Sequence, residues 1–204
     1  MRIFKFISII SLLLFSRGCD FYSTSLWFFQ EGGMAGEMNP LTRFFNVGFN
    51  GLIAVNVVVV GMVTFLYFFY SFRYKRMSPL EGTPRNIFQF ASLTYFNRPD
   101  RFYYLLIGMA GNRSPLFAHF GFVMTRTIIF VSFLATIHNL CQYYQVGVYD
   151  TFRSIVGRPH FVISGLSLLF LILTYRSLLV KEYDLYKKTI PDPAIPRCIE
   201  PADL

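Results

Sequence analysis

The sequence predicts an all-α fold: a polytopic membrane helical bundle of four transmembrane helices, with an interfacial helical segment in a basic loop. Three observations lead there. The chain of 204 residues is 54% hydrophobic and only 15% charged, against about 25% charge in soluble domains. Gly51 to Tyr70 is a run of 20 residues without a charge, and a spanning helix needs about 20 such residues. A soluble helix apolar on every face is rare at that length. Finally, the Lys and Arg residues behind the net charge of +8 gather beside the apolar runs, where such residues set topology and meet anionic lipid. That placement argues against nucleic acid and for membrane lipids and other integral membrane subunits as the partners.

The first helix is expected over residues 3–29. Met1-Arg2-Ile3-Phe4-Lys5 followed by Phe6 to Phe15 has the basic start and apolar run of a signal peptide. Ser16-Arg17-Gly18-Cys19 resembles a lipoprotein cleavage box, but Arg17 stands where a small residue is needed. Apolar character resumes at Phe21-Tyr22 and runs on through Trp27-Phe28-Phe29. An uncleaved helix with a polar knot at Arg17 to Asp20 accounts for both halves; a cleaved signal peptide is the competing reading. Gly32-Gly33, Gly36 and Pro40 then mark a turn-rich connection, followed by a short amphipathic stretch from Leu41 to Phe45.

The second helix is expected over residues 46–72, ending against Arg73, Lys75 and Arg76. The loop from Ser71 to Pro115 carries seven basic residues against two acidic ones, and its middle is rich in Phe, Tyr and Leu. Residues 85–110 therefore read as an interfacial segment of one or two short helices, broken near Pro99. Arg73, Lys75, Arg76, Arg98 and Arg101 are its expected lipid-headgroup contacts. The third helix is expected over residues 116–144. The fourth, over 161–180, merges into a charged extension from Lys181 to Lys188. Residues 1–190 thus form one transmembrane domain. Pro191, Pro193, Pro196 and Pro201 make residues 191–204 an extended Pro-rich tail.

Orientation follows from the Lys and Arg asymmetry. With the N-terminus inside, fourteen basic residues fall on the inner side and three (Arg43, Arg153 and Arg158) on the outer. Both termini are therefore expected inside, in a bacterial inner membrane by default and a mitochondrial inner membrane as the alternative. Cys19, Cys141 and Cys198 lie in different regions without CxxC spacing, which indicates neither a zinc site nor a disulfide framework.

Polar groups at membrane depth are costly and hence informative. Asp20, Thr24, Glu37, Asn39, Asn50, His138 and Asn139 converge on the outer half of the expected bundle, with Asn46 and His160 beside them. Together they make a candidate polar pocket open to the outer face. The competing reading is that these groups hydrogen-bond helices to one another, as polar side chains do in lipid. Arg17 and Asp20 are three residues apart and share a helix face. Arg126, a third of the way into the third helix, is expected to snorkel inward.

Asp20-Phe21-Tyr22-Ser23-Thr24 followed by Glu37-Met38-Asn39-Pro40, with the later pair Asn139-Leu140, resembles the signature of an uncharacterised family of small multi-pass membrane proteins. The resemblance covers about 25 residues at the start of the chain plus that pair. It implies a helical membrane fold and an uncleaved first helix, and it carries no activity with it. The long basic loop and the tail depart from the family's usual form.

These readings favour an accessory or structural subunit of a larger integral membrane complex, with no catalysis of its own and no cofactor. The first alternative is a haem-binding electron-transfer subunit using His138 and His160, which end on one membrane face; His119 lies on the other. The second is a metal-dependent membrane enzyme built on Asp20, Glu37 and His138. A transporter is a weaker option, since four helices without repeats offer little for a pathway.

Overall fold

The computed structural model describes residues 2–28, 48–74, 83–99 and 111–189. Every regular element among them is helical: α1 (Arg2–Phe28), α2 (Phe49–Phe68), α3 (Ile87–Phe96), α4 (Arg113–Tyr143), α5 (Gly147–Val156) and α6 (Pro159–Thr189). α2 continues into one π-helical turn over Phe69–Arg73, closed by Tyr74 N–H donating to the Phe69 carbonyl at 2.8 Å. Among the described residues, three helices are long and apolar enough to cross a membrane: Phe49–Arg73, Arg113–Tyr143 and Pro159–Thr189. α1 is 27 residues long and holds Arg17 and Asp20 in its second half.

The chain divides into two compact units. The first comprises residues 1–74 and 113–175, the second residues 75–112 and 176–204; α6 contributes to both. In the first unit α1 runs parallel to α4, because Leu13 shares a core cluster with Ile129, Arg17 reaches Ser132 and Trp27 packs against Tyr143. α2 runs antiparallel to both. Phe6 stacks on Tyr67 near one end, and Phe21 meets Phe49 near the other. Leu13, Val63 and Ile129 form the centre of this packing, with Ile9, Val59, Met124 and Phe133 around them. In lipid such contacts gain little from leaving the solvent, so close packing and internal hydrogen bonds hold the helices together.

Two local features set that packing. At Gly121 a Cβ would overlap the Leu66 backbone, so α2 and α4 cross at a distance only glycine allows. At the basic end, Tyr67, Tyr70 and Tyr74 form a stacked row down α2 and its π-helical turn. Phe122 packs on Tyr70 with centroids 4.8 Å apart, and His119 meets Tyr74 edge-on. Arg126 Nη1 donates to the Phe122 carbonyl at 3.0 Å and its guanidinium lies 3.5 Å over the Phe122 ring. It thus bends toward the start of α4.

In the second unit α3 is a short helix, buried from Phe90 to Tyr95. Asn86 caps it by accepting from Gln89 N–H at 2.9 Å, and Gln89 Oε1 accepts from Arg85 N–H at 2.9 Å. Together these satisfy open amides at its start. It stops at Asn97, whose φ of 55° is left-handed, a conformation asparagine tolerates better than most residues. Pro99, two residues on, cannot continue the helix. Phe90 through Tyr95 are all buried. Phe90 packs against Tyr183 and Tyr186 of the α6 extension, with centroids 5.4 and 5.6 Å away.

The structure adds detail to the sequence reading in three places. Of the expected interfacial segment, residues 85–110, the described residues form helix over Ile87–Phe96, buried from Phe90 to Tyr95 and with Phe88 60% exposed. The charged extension after Val180 stays helical to Thr189 because Lys, Leu, Glu and Tyr continue the helix without a Gly or Pro. α5, between the third and fourth expected helices, is an element the sequence reading lacks. Lys75, Arg76, Arg101 and the Pro-rich tail, residues 191–204, lie outside the described residues.

Candidate functional site

The polar groups of α1 and α4 meet in a seam two levels deep. At the first level Arg17 Nη1 donates to Asp20 Oδ2 at 2.6 Å and to Ser132 Oγ at 3.0 Å. One helical turn brings the guanidinium back over its own carboxylate, and Ser132 on α4 completes the contact across the helix pair. Phe21 packs over the guanidinium at 5.9 Å. At the second level Asn139 Nδ2 donates to Ser23 Oγ at 3.2 Å and to Thr24 Oγ1 at 3.3 Å. Ser23 Oγ in turn donates to the Asp20 carbonyl at 2.9 Å, which links the two levels.

Small side chains make this closeness feasible. Ser16, Ser23 and Ser132 are completely buried, and serine lets two helix backbones approach as leucine does not. Ser16 turns its hydroxyl back to the Leu13 carbonyl at 3.0 Å, so it satisfies itself locally. Chemically the seam is a neutral, internally hydrogen-bonded set: one cation, one anion, one carboxamide and several hydroxyls.

Of the expected pocket, the structure brings Thr24 and Asn139 into direct contact and places Asp20 one turn away on the same seam. His138, although adjacent to Asn139 in sequence, is hydrogen-bonded through Nδ1 to the phenol of Tyr149 on α5. Burial pushes the Tyr149 hydroxyl above its usual range, so it stays protonated at neutral pH. Asn50 is exposed at the start of α2. Glu37 and Asn39 lie outside the described residues.

His160 opens α6 at the same end of the first unit as His138. Its Nδ1 is buried without a hydrogen-bond partner among the described residues, and its ring lies 4.5 Å from that of Phe161. No group of three or more His, Cys, Asp or Glu side chains converges among the described residues. Ser132 and Tyr149 are the partners that sequence reasoning missed. Neither is distinguishable in sequence from the other hydroxyls around it, because the register of α1 on α4 and the existence of α5 are tertiary facts. No family model, curated protein or solved structure matches this chain.

Proposed function

We propose that this chain is an accessory or structural subunit of a larger integral membrane complex, without catalysis of its own. α1 is a fourth crossing in this reading, with both termini on the basic side of the membrane. Its support is the parallel register of α1 on α4 from Leu13 to Trp27, which gives the two helices a common depth. The ion pair then sits inside the bilayer as a self-contained link between them.

The observation that carries the subunit reading is the outward face of α6. Phe161, Leu166, Leu168, Leu169, Ile172 and Leu173 project from one side of the helix, Leu168 60% and Leu169 52% exposed. On the other side Phe170 stacks on Phe130 of α4 with centroids 4.3 Å apart. Over its first half α6 leaves these apolar side chains uncovered, a face on which a neighbouring helix of a larger assembly can pack. Of the groups named for a metal or haem site, Asp20 is bonded to Arg17 and His138 to Tyr149, each within a helix contact.

Extraction from the native membrane in mild detergent tests this. The expected result is a defined particle much larger than the micelle-bound chain, with the same integral membrane proteins co-purifying each time. Substituting Leu168 and Ile172 by Ala then releases those partners. A lone colourless monomer from native membranes sinks the reading; a lone species with a Soret band replaces it with the haem alternative.

A further inference from the structure

α5 is flanked by two residues with left-handed backbone, Gln145 at φ 51° and Gly157 at φ 69°. Such conformations suit abrupt changes of chain direction, and they set α5 apart from the long helices on either side. Within α5, Val148, Phe152 and Ile155 recur at the four- and three-residue spacing that aligns side chains on one helix face. Asp150, Thr151, Arg153 and Ser154 occupy the remaining circumference. The apolar stripe is open: Val148 is 84% exposed and Ile155 80%.

A second observation fixes the level at which this stripe lies. Trp27, the chain's single tryptophan, packs on Tyr143 with centroids 5.9 Å apart, and Tyr143 on Tyr144 at 5.1 Å. Tyr149 of α5 packs on Phe152 at 5.7 Å and bonds to His138 near the end of α4. Trp and Tyr gather where hydrocarbon gives way to headgroups. This belt closes the ends of α1 and α4 at the point where α5 departs.

We infer that α5 is an interfacial helix that docks on the bilayer surface, with Val148, Phe152 and Ile155 in the acyl boundary. Arg153, at the edge of the apolar stripe and 3.7 Å from Asp150, and Arg158, just beyond the helix, are placed to meet lipid phosphates. Asp150 and Ser154 face water. The occupant of the stripe is lipid because α5 joins two candidate spanning helices through short turns, which keeps it at the membrane surface. The balance of a narrow apolar face with a polar remainder is that of a helix lying in the interface plane. The inference rests on the membrane placement of α4 and α6, and not on the subunit reading.

The test uses the full chain with Trp27→Phe, reconstituted in phosphatidylcholine vesicles whose acyl chains carry bromine near the headgroup or near the chain end. Single tryptophans are introduced as V148W, I155W, S154W and, on α6, L169W. Headgroup-end bromines should quench V148W and I155W roughly two-fold and more than chain-end bromines do, while S154W is barely affected. L169W should respond to the deeper quencher. If V148W and I155W are unquenched beside a quenched L169W, α5 does not dock on lipid and its stripe is left to a protein. If L169W is unquenched too, the membrane placement fails and the inference with it. Val148, Ile155 and Ser154 are all exposed, so these substitutions leave the packing intact.

Discussion

Along the contact of α1 with α4, the completely buried side chains include Ser16, Ser23 and Ser132, with Arg17, Asp20 and Asn139 bonded among them. Along α6 the exposed side chains are Leu166, Leu168, Leu169, Ile172 and Leu173. A soluble protein sorts its residues the other way round. The difference shows where cohesion in this chain comes from. Helices that must stay together share hydroxyls, a carboxamide and an ion pair, because an unshared polar group in hydrocarbon has nowhere else to bond. Helices that face outward need only be apolar.

The sharpest way to break this contrast is to remove half of the ion pair. Asp20→Leu leaves the Arg17 guanidinium facing Ser132 alone. Breaking a buried pair in this way costs about 3–5 kcal/mol, seen as earlier unfolding in a denaturing-detergent titration of the reconstituted protein. The double change Arg17→Leu with Asp20→Leu removes both charges and the cost of desolvating them, so it should recover most of that loss. If single and double variants unfold alike, the pair is not what binds α1 to α4.

The next largest effect concerns how closely backbones approach. Gly121→Ala places a methyl group against the Leu66 backbone, which no side-chain rotation relieves. Overpacking of this kind costs about 1–3 kcal/mol. Gly61 and Gly165 have nothing within 4 Å of the same added atom. Ala at either should therefore leave stability unchanged or raise it slightly by helix propensity. Equal behaviour of all three variants would mean that α2 and α4 do not cross at Gly121.

How much of this is legible in sequence varies with the kind of signal. α2 is plain, because an uncharged run from Gly51 to Tyr70 is apolar whichever way it is turned. The contact between Arg17 and Asp20 is legible because three residues along a helix is a fixed distance. Ser132 is not, since it depends on the register of α1 against α4, and many registers bury equivalent apolar area. α5 escapes for a related reason: ten residues mixing Val, Phe, Arg and Asp read as a connection until helix geometry sorts them onto faces. The loop around Ile87 is helical as its composition suggests, but the burial of Phe90 comes from packing on the α6 extension. Tyr183 and Tyr186 sit there nearly a hundred residues away.

The smallest effect is also the one that separates a structural seam from a working pocket. Asn139→Ala removes the donor shared by Ser23 and Thr24; Ser23 already donates to the Asp20 carbonyl one turn earlier, as Ser16 does to Leu13, and Thr24 can turn the same way. Hydrogen bonds of this kind between membrane helices average about 0.6 kcal/mol and reach about 1.7, so stability should fall only slightly. Because the hydrogen bonds of Asn139 run to Ser23 and Thr24 of α1, assembly with partners should survive the change. A variant that unfolds normally but no longer supports the parent complex's activity would mean the opposite. Asn139, Thr24 and Asp20 would then line a pocket whose occupant matters, and helix cohesion alone would not explain why they meet.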